Sequence, residues 1–426
     1  MKKNYRFLAK AIIFLFLAMW LSVVGAQADT VFIKAGRLIN PVTGTAAADQ
    51  IIIVEGSKIK AVGPNLSIPK DARIVDLSRA TVLPGLFDCH THMCATIPVR
   101  GKSLEEFRSD IVAYMIGETT GYRALLGAAN ALSMLEAGFT TIRDMGNAGN
   151  YADIDLKKAI DNGLLPGPKM FVSGKIIAPF AGQVIVNTEQ RDLGRVDYLY
   201  ADTRGEIRKA IRENIHFGAD WVKIVVDDQK YIYSVDDLRF IIDESARAGF
   251  KVAAHTITEP GGLNTAEAGV ASIEHGFIMN DKALDWAKKN GCVLVGTPFP
   301  KSQLEAMGIG EFYPAIIDVH KRAYKVGVAM AYGSDVISKI QNKGRGELSI
   351  EHIGSFTEAG IPAADILRML TTNAAKLLGV EKERGTIAQG MAADLIATAE
   401  NPLDNIQALK KVTFVMREGK VYKQKF

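Results

Sequence analysis

Histidine, lysine and aspartate recur at the ends of short apolar runs in this chain. His90 and His92 lie in Asp88-Cys-His-Thr-His-Met93, Lys223 in Trp221-Val-Lys-Ile-Val225, His255 in Ala253-Ala-His-Thr256, His275 in Ile273-Glu-His-Gly276, and Asp335 in Tyr332-Gly-Ser-Asp-Val336. Side chains on a strand alternate between its two faces, so His90 and His92 point the same way and can hold one ion. Alone, a His-x-His pair carries little weight. Imidazoles and a carboxylate at further strand ends change that, because hydrolytic zinc sites use a few such ligands, keep one position for water, and lower its pKa to about 7. The same ligands suit cobalt, manganese or iron.

These residues meet only if the elements before them converge. Strands are expected near Leu83–His92, Phe139–Arg143, Met170–Ser173, Trp221–Val226, Val252–His255, Ser272–His275, Val293–Thr297 and Val328–Tyr332. Helical patterns alternate with them at Gly121–Glu136, Thr203–His216, Val235–Ala248 and Ile316–Lys325. The strands read as continuous apolar runs, as buried parallel strands do. Eight repeated βα units predict an α/β fold, a (β/α)8 TIM barrel, whose strands gather their carboxyl ends on the face that carries the active site.

The two ends of the chain have another texture. Alternating apolar stretches broken by Gly and Pro occur at Val31–Leu38 and Ile51–Gly63, and again at Gly385–Thr398 and Val412–Tyr422. They predict a small β-sandwich domain formed by residues 29–82 and 380–426, with the barrel, residues 83–379, inserted in it.

Residues 1–28 read as a signal peptide: Lys2, Lys3, Arg6 and Lys10, an apolar stretch from Ala11 to Val24, then Ala26-Gln-Ala28. The apolar core is shorter than the ~20 residues of a spanning helix. An exported, periplasmic or secreted protein with no membrane anchor after cleavage is expected. Cleavage removes four cations and no anions, which takes the formal charge from +4 to zero. The basic balance therefore implies no nucleic-acid partner, and no basic run interleaved with aromatics occurs elsewhere. Cys89, Cys94 and Cys292 are too few for a disulfide framework and read as small core residues. His216, His320 and His352 fall in helical patterns, away from strand ends.

The ordered set His-x-His, Lys, His, His, Asp on an expected barrel resembles the amidohydrolase superfamily. So do Val82-Leu-Pro-Gly-Leu-Phe-Asp-Cys-His-Thr-His92, Ala137-Gly-Phe-Thr-Thr-Ile-Arg-Asp144, Thr372-Asn-Ala-Ala375 and Gly390-Met-Ala-Ala-Asp-Leu-Ile396. The resemblance implies two divalent metal ions, zinc first among them: His90 and His92 hold one, His255 and His275 the other, and Lys223 bridges both. A bare ammonium beside two dications is repelled, so such a lysine must lose its charge or change its sign. In the resembling members it is an N6-carboxylysine. Asp335 is implied as metal ligand and as the general base that serves a metal-bridging hydroxide. Members that deaminate bases use one metal and lack this lysine.

The texture around Asn150-Tyr-Ala-Asp-Ile-Asp155 and the ending from Glu400 to Tyr422 is similar to the branch of prolidase-like dipeptidases and arginine or lysine carboxypeptidases. That implies a metal-dependent hydrolase of amide bonds acting on short peptides or N-acyl amino acids. Asp227–Tyr233 replaces the small-residue loop common after strand four, which makes Lys230, Tyr231 and Tyr233 candidates to bind a substrate carboxylate. Arg143 after strand two is a further candidate, for an anion or for pairing with Asp144. Gln183 lies in Ala178–Gln183, where the branch carries a Gly- and His-rich loop, and Ile257 stands where it carries Tyr or His. Two alternatives stand beside this reading: a lactonase or esterase on the same binuclear site, and a periplasmic ligand-binding protein with a structural metal. A closed symmetric homo-oligomer is the usual expectation for a soluble enzyme.

Overall fold

The structure, a computed structural model, describes residues 30–99, 103–184, 187–340 and 342–425. The expected signal peptide lies outside the described residues. Among the described residues no helix is long and apolar enough to cross a membrane.

All eight expected strands form. They are Leu86–Thr91, Phe139–Asp144, Lys169–Val172, Trp221–Val225, Lys251–Thr256, Ser272–His275, Val293–Val295 and Ala329–Ala331, numbered one to eight below. Strands one to three pair in parallel as one arc, and strands four to eight as another. The arcs meet at both edges: the Asp220 N–H donates to Val172 O at 2.7 Å, and the Cys89 N–H to Tyr332 O at 2.8 Å. A short parallel pair, Ile176–Ala178 with Tyr198–Tyr200, follows strand three and extends the second arc through Ile177 and Ile224.

Helices cover the outside, and their ends follow local chemistry. Thr203 opens Arg204–Phe217 and Ser234 opens Val235–Ala246, each with a reciprocal capping box that satisfies two otherwise free backbone donors. The strand cores, among them Val222, Ile224, Ala254 and Ile273, are wholly buried against these helices.

The chain ends do meet: their strands share one continuous ladder of seven. Leu395–Thr398 pairs antiparallel with Arg73–Pro84, which in turn runs parallel to Thr30–Asn40. Alternation of apolar and polar residues buries Ile33, Ile52, Val54, Leu395 and Phe414 in one cluster on this sheet. Arg73–Pro84 leads through Gly85 directly into strand one. A Cβ at Gly85 would lie 2.2 Å from Thr140 Oγ1, so only glycine lets strand one pass strand two this closely. That crossing sets where His90 and His92 arrive.

Candidate metal centre

Strand one is buried along its whole length and delivers His90, with His92 just beyond its end. The Nδ1 of His92 lies 2.8 Å from Gly146 O. A carbonyl only accepts, so Nδ1 carries the proton and Nε2 keeps its lone pair. His90 is fixed in the same way, with Nδ1 2.6 Å from Glu274 Oε2. Both free Nε2 atoms turn toward Asp335, whose Oδ1 is 3.0 Å from that of His92 and 3.6 Å from that of His90. One ligand atom from each of the three residues lies within 4.8 Å of the others, the spacing of a metal site.

The loop after strand eight is tied to strand one by Asp335 N–H donating to His90 O at 2.8 Å. Asp335 sits at φ 55° and His275 at φ 68°, left-handed conformations that non-glycine residues rarely adopt and that cluster at functional sites. His275 Nδ1 lies 3.0 Å from Thr297 Oγ1 and 3.6 Å from Asp335 Oδ2. The His275 ring is 4.9 Å from that of His90 and 4.5 Å from that of His255, centroid to centroid.

Lys223 is wholly buried in this group, with Nζ 3.5 Å from His90 Nε2 and no ion-pair partner within 4.0 Å among the described residues. Burial lowers its pKa to about 8, against the pull of Glu274 and Asp335 toward the charged form. Burial, and then the Lys223 cation, holds His90 well below the usual histidine range and lowers His255 to about 4. Burial does the same to His275, with His255 and His90 adding to it. Neutral imidazole is the form that binds metal.

His90, His92, Lys223, His255, His275 and Asp335 thus all line one cavity of about 220 Å³. Its remaining wall is largely apolar, contributed by Leu104–Gly117 after strand one and by the Phe299–Phe312 segment after strand seven.

Of the substrate-binding candidates, Gln183 lines the cavity; its Nε2 donates to Asp228 Oδ2 at 2.9 Å and lies 3.3 Å from His255 Nε2. Lys230 is exposed and lines an adjoining outer pocket, and Tyr231 is half exposed. Two candidates are corrected. Tyr233 is wholly buried and donates its hydroxyl to Ala201 O, so it fastens the loop from within. Arg143 is equally buried, because strand alternation turns it into the barrel interior. It donates to Cys89 O at 2.6 Å, Ser272 Oγ at 2.9 Å and Glu274 Oε1 at 2.7 Å, and so pairs with Glu274 rather than with Asp144.

Sequence reasoning missed Glu274, the acceptor that orients His90. Its signal was available: a carboxylate inside the apolar run of strand six needs a buried partner. It also missed Asp88, which accepts from the His90 and Ser334 N–H groups at 3.1 and 2.9 Å and is pushed up to about 7 by burial. The three cysteines are buried and unpaired, His320 and His352 are buried structural residues, and His216 is exposed on its helix.

The model of the amidohydrolase family matches residues 81–422. The chain belongs to this family. Among curated amidohydrolase relatives, ochratoxinase from Aspergillus niger is 27% identical over 93% of this chain and 87% of its own length. Imidazolonepropionase from Kosmotoga olearia is 24% identical over 87% and 90%. A Xaa-Pro dipeptidase solved with methionine in its active site superposes with a TM-score of 0.78 at 26% identity, covering 92% of this chain and all of that one. A prolidase complexed with N-methylphosphonate-L-proline, at 23% identity and a TM-score of 0.81 over 93% of this chain and all of its own, shares the fold. The parallel ring agrees with the barrel of these amidohydrolases. The protein is a hydrolase of amide C–N bonds, which sets aside the ligand-binding alternative. Metal binding fits the family, and the site above offers His90, His92 and Asp335 for it.

Proposed function

We propose that this amidohydrolase is a binuclear metal enzyme that hydrolyses dipeptides, C-terminal peptide bonds or N-acyl amino acids. The observation that carries the reading is Lys223. A lysine wholly buried among histidines, with no carboxylate within 4.0 Å among the described residues, is costly as an ammonium. A neutral amine instead attacks carbon dioxide: the N–C bond forms, a proton leaves to solvent, and the carbamate carries the negative charge that two cations need.

His90, His92 and Asp335 would hold one ion and His255 and His275 a second, with carboxylated Lys223 supplying negative charge to both. When bound, the ions supply Lewis acidity toward the scissile carbonyl and a lowered pKa for the attacking water. The chain's own work is orientation and proton transfer. Glu274 and Gly146 O fix the two imidazoles through Nδ1. Asp335, facing the cavity, takes the proton of the attacking water and returns it to the departing amine. The apolar wall excludes bulk water and receives the substrate's apolar parts.

Similarity to a Xaa-Pro dipeptidase and to an ochratoxinase supports a peptide-like amide as substrate. Zinc is the expected metal. Export to the periplasm through residues 1–28, and action as a soluble homo-oligomer, belong to the same proposal. Its test is elemental mass spectrometry on mature protein purified without chelator and with bicarbonate, followed by a dipeptide and N-acyl amino acid library. Two metal equivalents and cleavage of a library member are expected. One equivalent, with no cleavage, overturns the reading.

A further inference from the structure

The cavity that holds the metal ligands is one-sided in its chemistry. Phe107, Phe277, Phe299, Met307 and Phe312 form an apolar face large enough for an aromatic or branched side chain. Apart from the metal-ligand cluster, the charged residues that line it are Arg108 and Asp228. Arg108 stands on the helix Leu104–Gly117, and its Nη2 donates to Asp228 Oδ1 at 2.6 Å. Asp228, at φ 86°, is held on its other oxygen by Gln183 Nε2 at 2.9 Å.

This geometry does more than tie a helix to a loop. Asp228 has a donor on each oxygen. Arg108 uses one terminal nitrogen, and a guanidinium has five N–H donors in a fixed fork, so donors remain for a second acceptor. Arg108 lines both the metal cavity and the outer pocket beside it, and so stands where the two meet. A carboxylate entering an apolar cavity must find a cation, or the burial is too costly. Among the lining residues the cations are Arg108 and Lys223, and Lys223 belongs to the metal cluster.

We infer that Arg108 is the receptor for the substrate carboxylate, held in place by Asp228 and Gln183, and that the enzyme selects amides of amino acids with a bulky apolar side chain. The inference rests on the amide-hydrolase reading above and names the substrate class of that site. The carboxylate takes the free edge of the Arg108 guanidinium at the mouth. The side chain lies against Phe277, Phe299 and Phe312, and the scissile carbonyl faces His255 and Asp335.

The test separates the two readings by measuring binding without turnover. Calorimetry on metal-loaded protein compares 3-phenylpropanoate, which has the aromatic group and the carboxylate but no scissile bond, with 3-phenylpropanol, which lacks the charge. Arg108→Met is expected to weaken the carboxylate roughly thirtyfold, the scale of a charge-assisted hydrogen bond, and to leave the alcohol unchanged. Arg108→Lys should recover part of the loss. In turnover of N-acetyl-L-phenylalanine, Arg108→Met should raise KM far more than it lowers kcat. Equal weakening of both ligands would make Arg108 merely structural and overturn the inference, as would wild-type affinity for the carboxylate in Arg108→Met, or no binding of it by the wild type. If the wild type cleaves no amide but the carboxylate-specific loss in Arg108→Met persists, the amide-hydrolase reading fails and the receptor stands.

Discussion

Glu274 Oε2 lies 2.6 Å from His90 Nδ1, and both side chains are wholly buried. The carboxylate is itself anchored by Arg143 at 2.7 Å and by the Ser272 hydroxyl. Strand six therefore contributes twice: His275 faces the cavity, while Glu274 reaches beneath it to orient a ligand of strand one. Outer partners of metal-bound imidazoles fix tautomer and ring angle and raise ligand basicity. Glu274→Gln should weaken metal affinity by about 10- to 100-fold. A chelator competition titration with unchanged affinity would show that His90 needs no such partner.

Lys223→Ala should reduce metal content below two equivalents and abolish hydrolysis; full activity in this variant would exclude the bridging role. The wild type adds a pH signature. With its pKa lowered to about 8, half of Lys223 is neutral at that pH, whereas an ordinary lysine is about 0.3% neutral there. Reconstitution of stripped protein should therefore require bicarbonate and speed up between pH 7 and 9. A rate indifferent to bicarbonate would contradict carboxylation.

Asp335→Asn keeps the shape of the side chain and one oxygen but removes the base. Turnover should fall by about 10²- to 10⁴-fold, the usual worth of positioned proton transfer, with metal largely retained. Metal analysis beside steady-state kinetics tells the two roles apart. Loss of metal in proportion to activity would mean that Asp335 acts as a ligand only.

His320 and His352 should govern acid stability. His320 Nε2 donates to Gly296 O and His352 Nε2 to Gln303 Oε1, both at 2.9 Å, while the Nδ1 of each is buried and has no partner among the described residues. A proton added there finds no acceptor, and burial lowers the two pKa values to about 4 and about 3. The unfolded chain takes up these protons first, near pH 6.5, so stability is lost as pH falls from 6.5 toward 4. For His320 the loss is about 3 kcal/mol. His320→Gln should shrink the difference in denaturant midpoint between pH 7 and pH 4.5; an unchanged difference would exclude this residue as a cause.

What could be read from the chain was whatever local periodicity encodes. Continuous apolar runs located all eight strands, and the candidate ligands His90, His255 and His275 stood out because they lie at the ends of such runs. The capping boxes at Thr203 and Ser234 fix two helix starts by equally local chemistry. The seven-stranded sheet was seen only as two textures, since pairing between Leu395–Thr398 and Arg73–Pro84 joins segments three hundred residues apart, and nothing local says whether strands share one ladder or stack as two.

The sequence by itself determined the kind of chemistry: six candidate metal-ligating side chains in one order on or just after the strands, and an interior apolar enough to bury them. Tertiary structure decided which polar residues serve those six. Arg143 and Tyr233 resembled substrate contacts, yet strand direction and loop packing turned both inward. Glu274 and Arg108 took the supporting and cavity-facing places instead. Such assignments depend on which way a side chain points across a closed ring of strands, and that is set by contacts between distant segments that no local pattern carries.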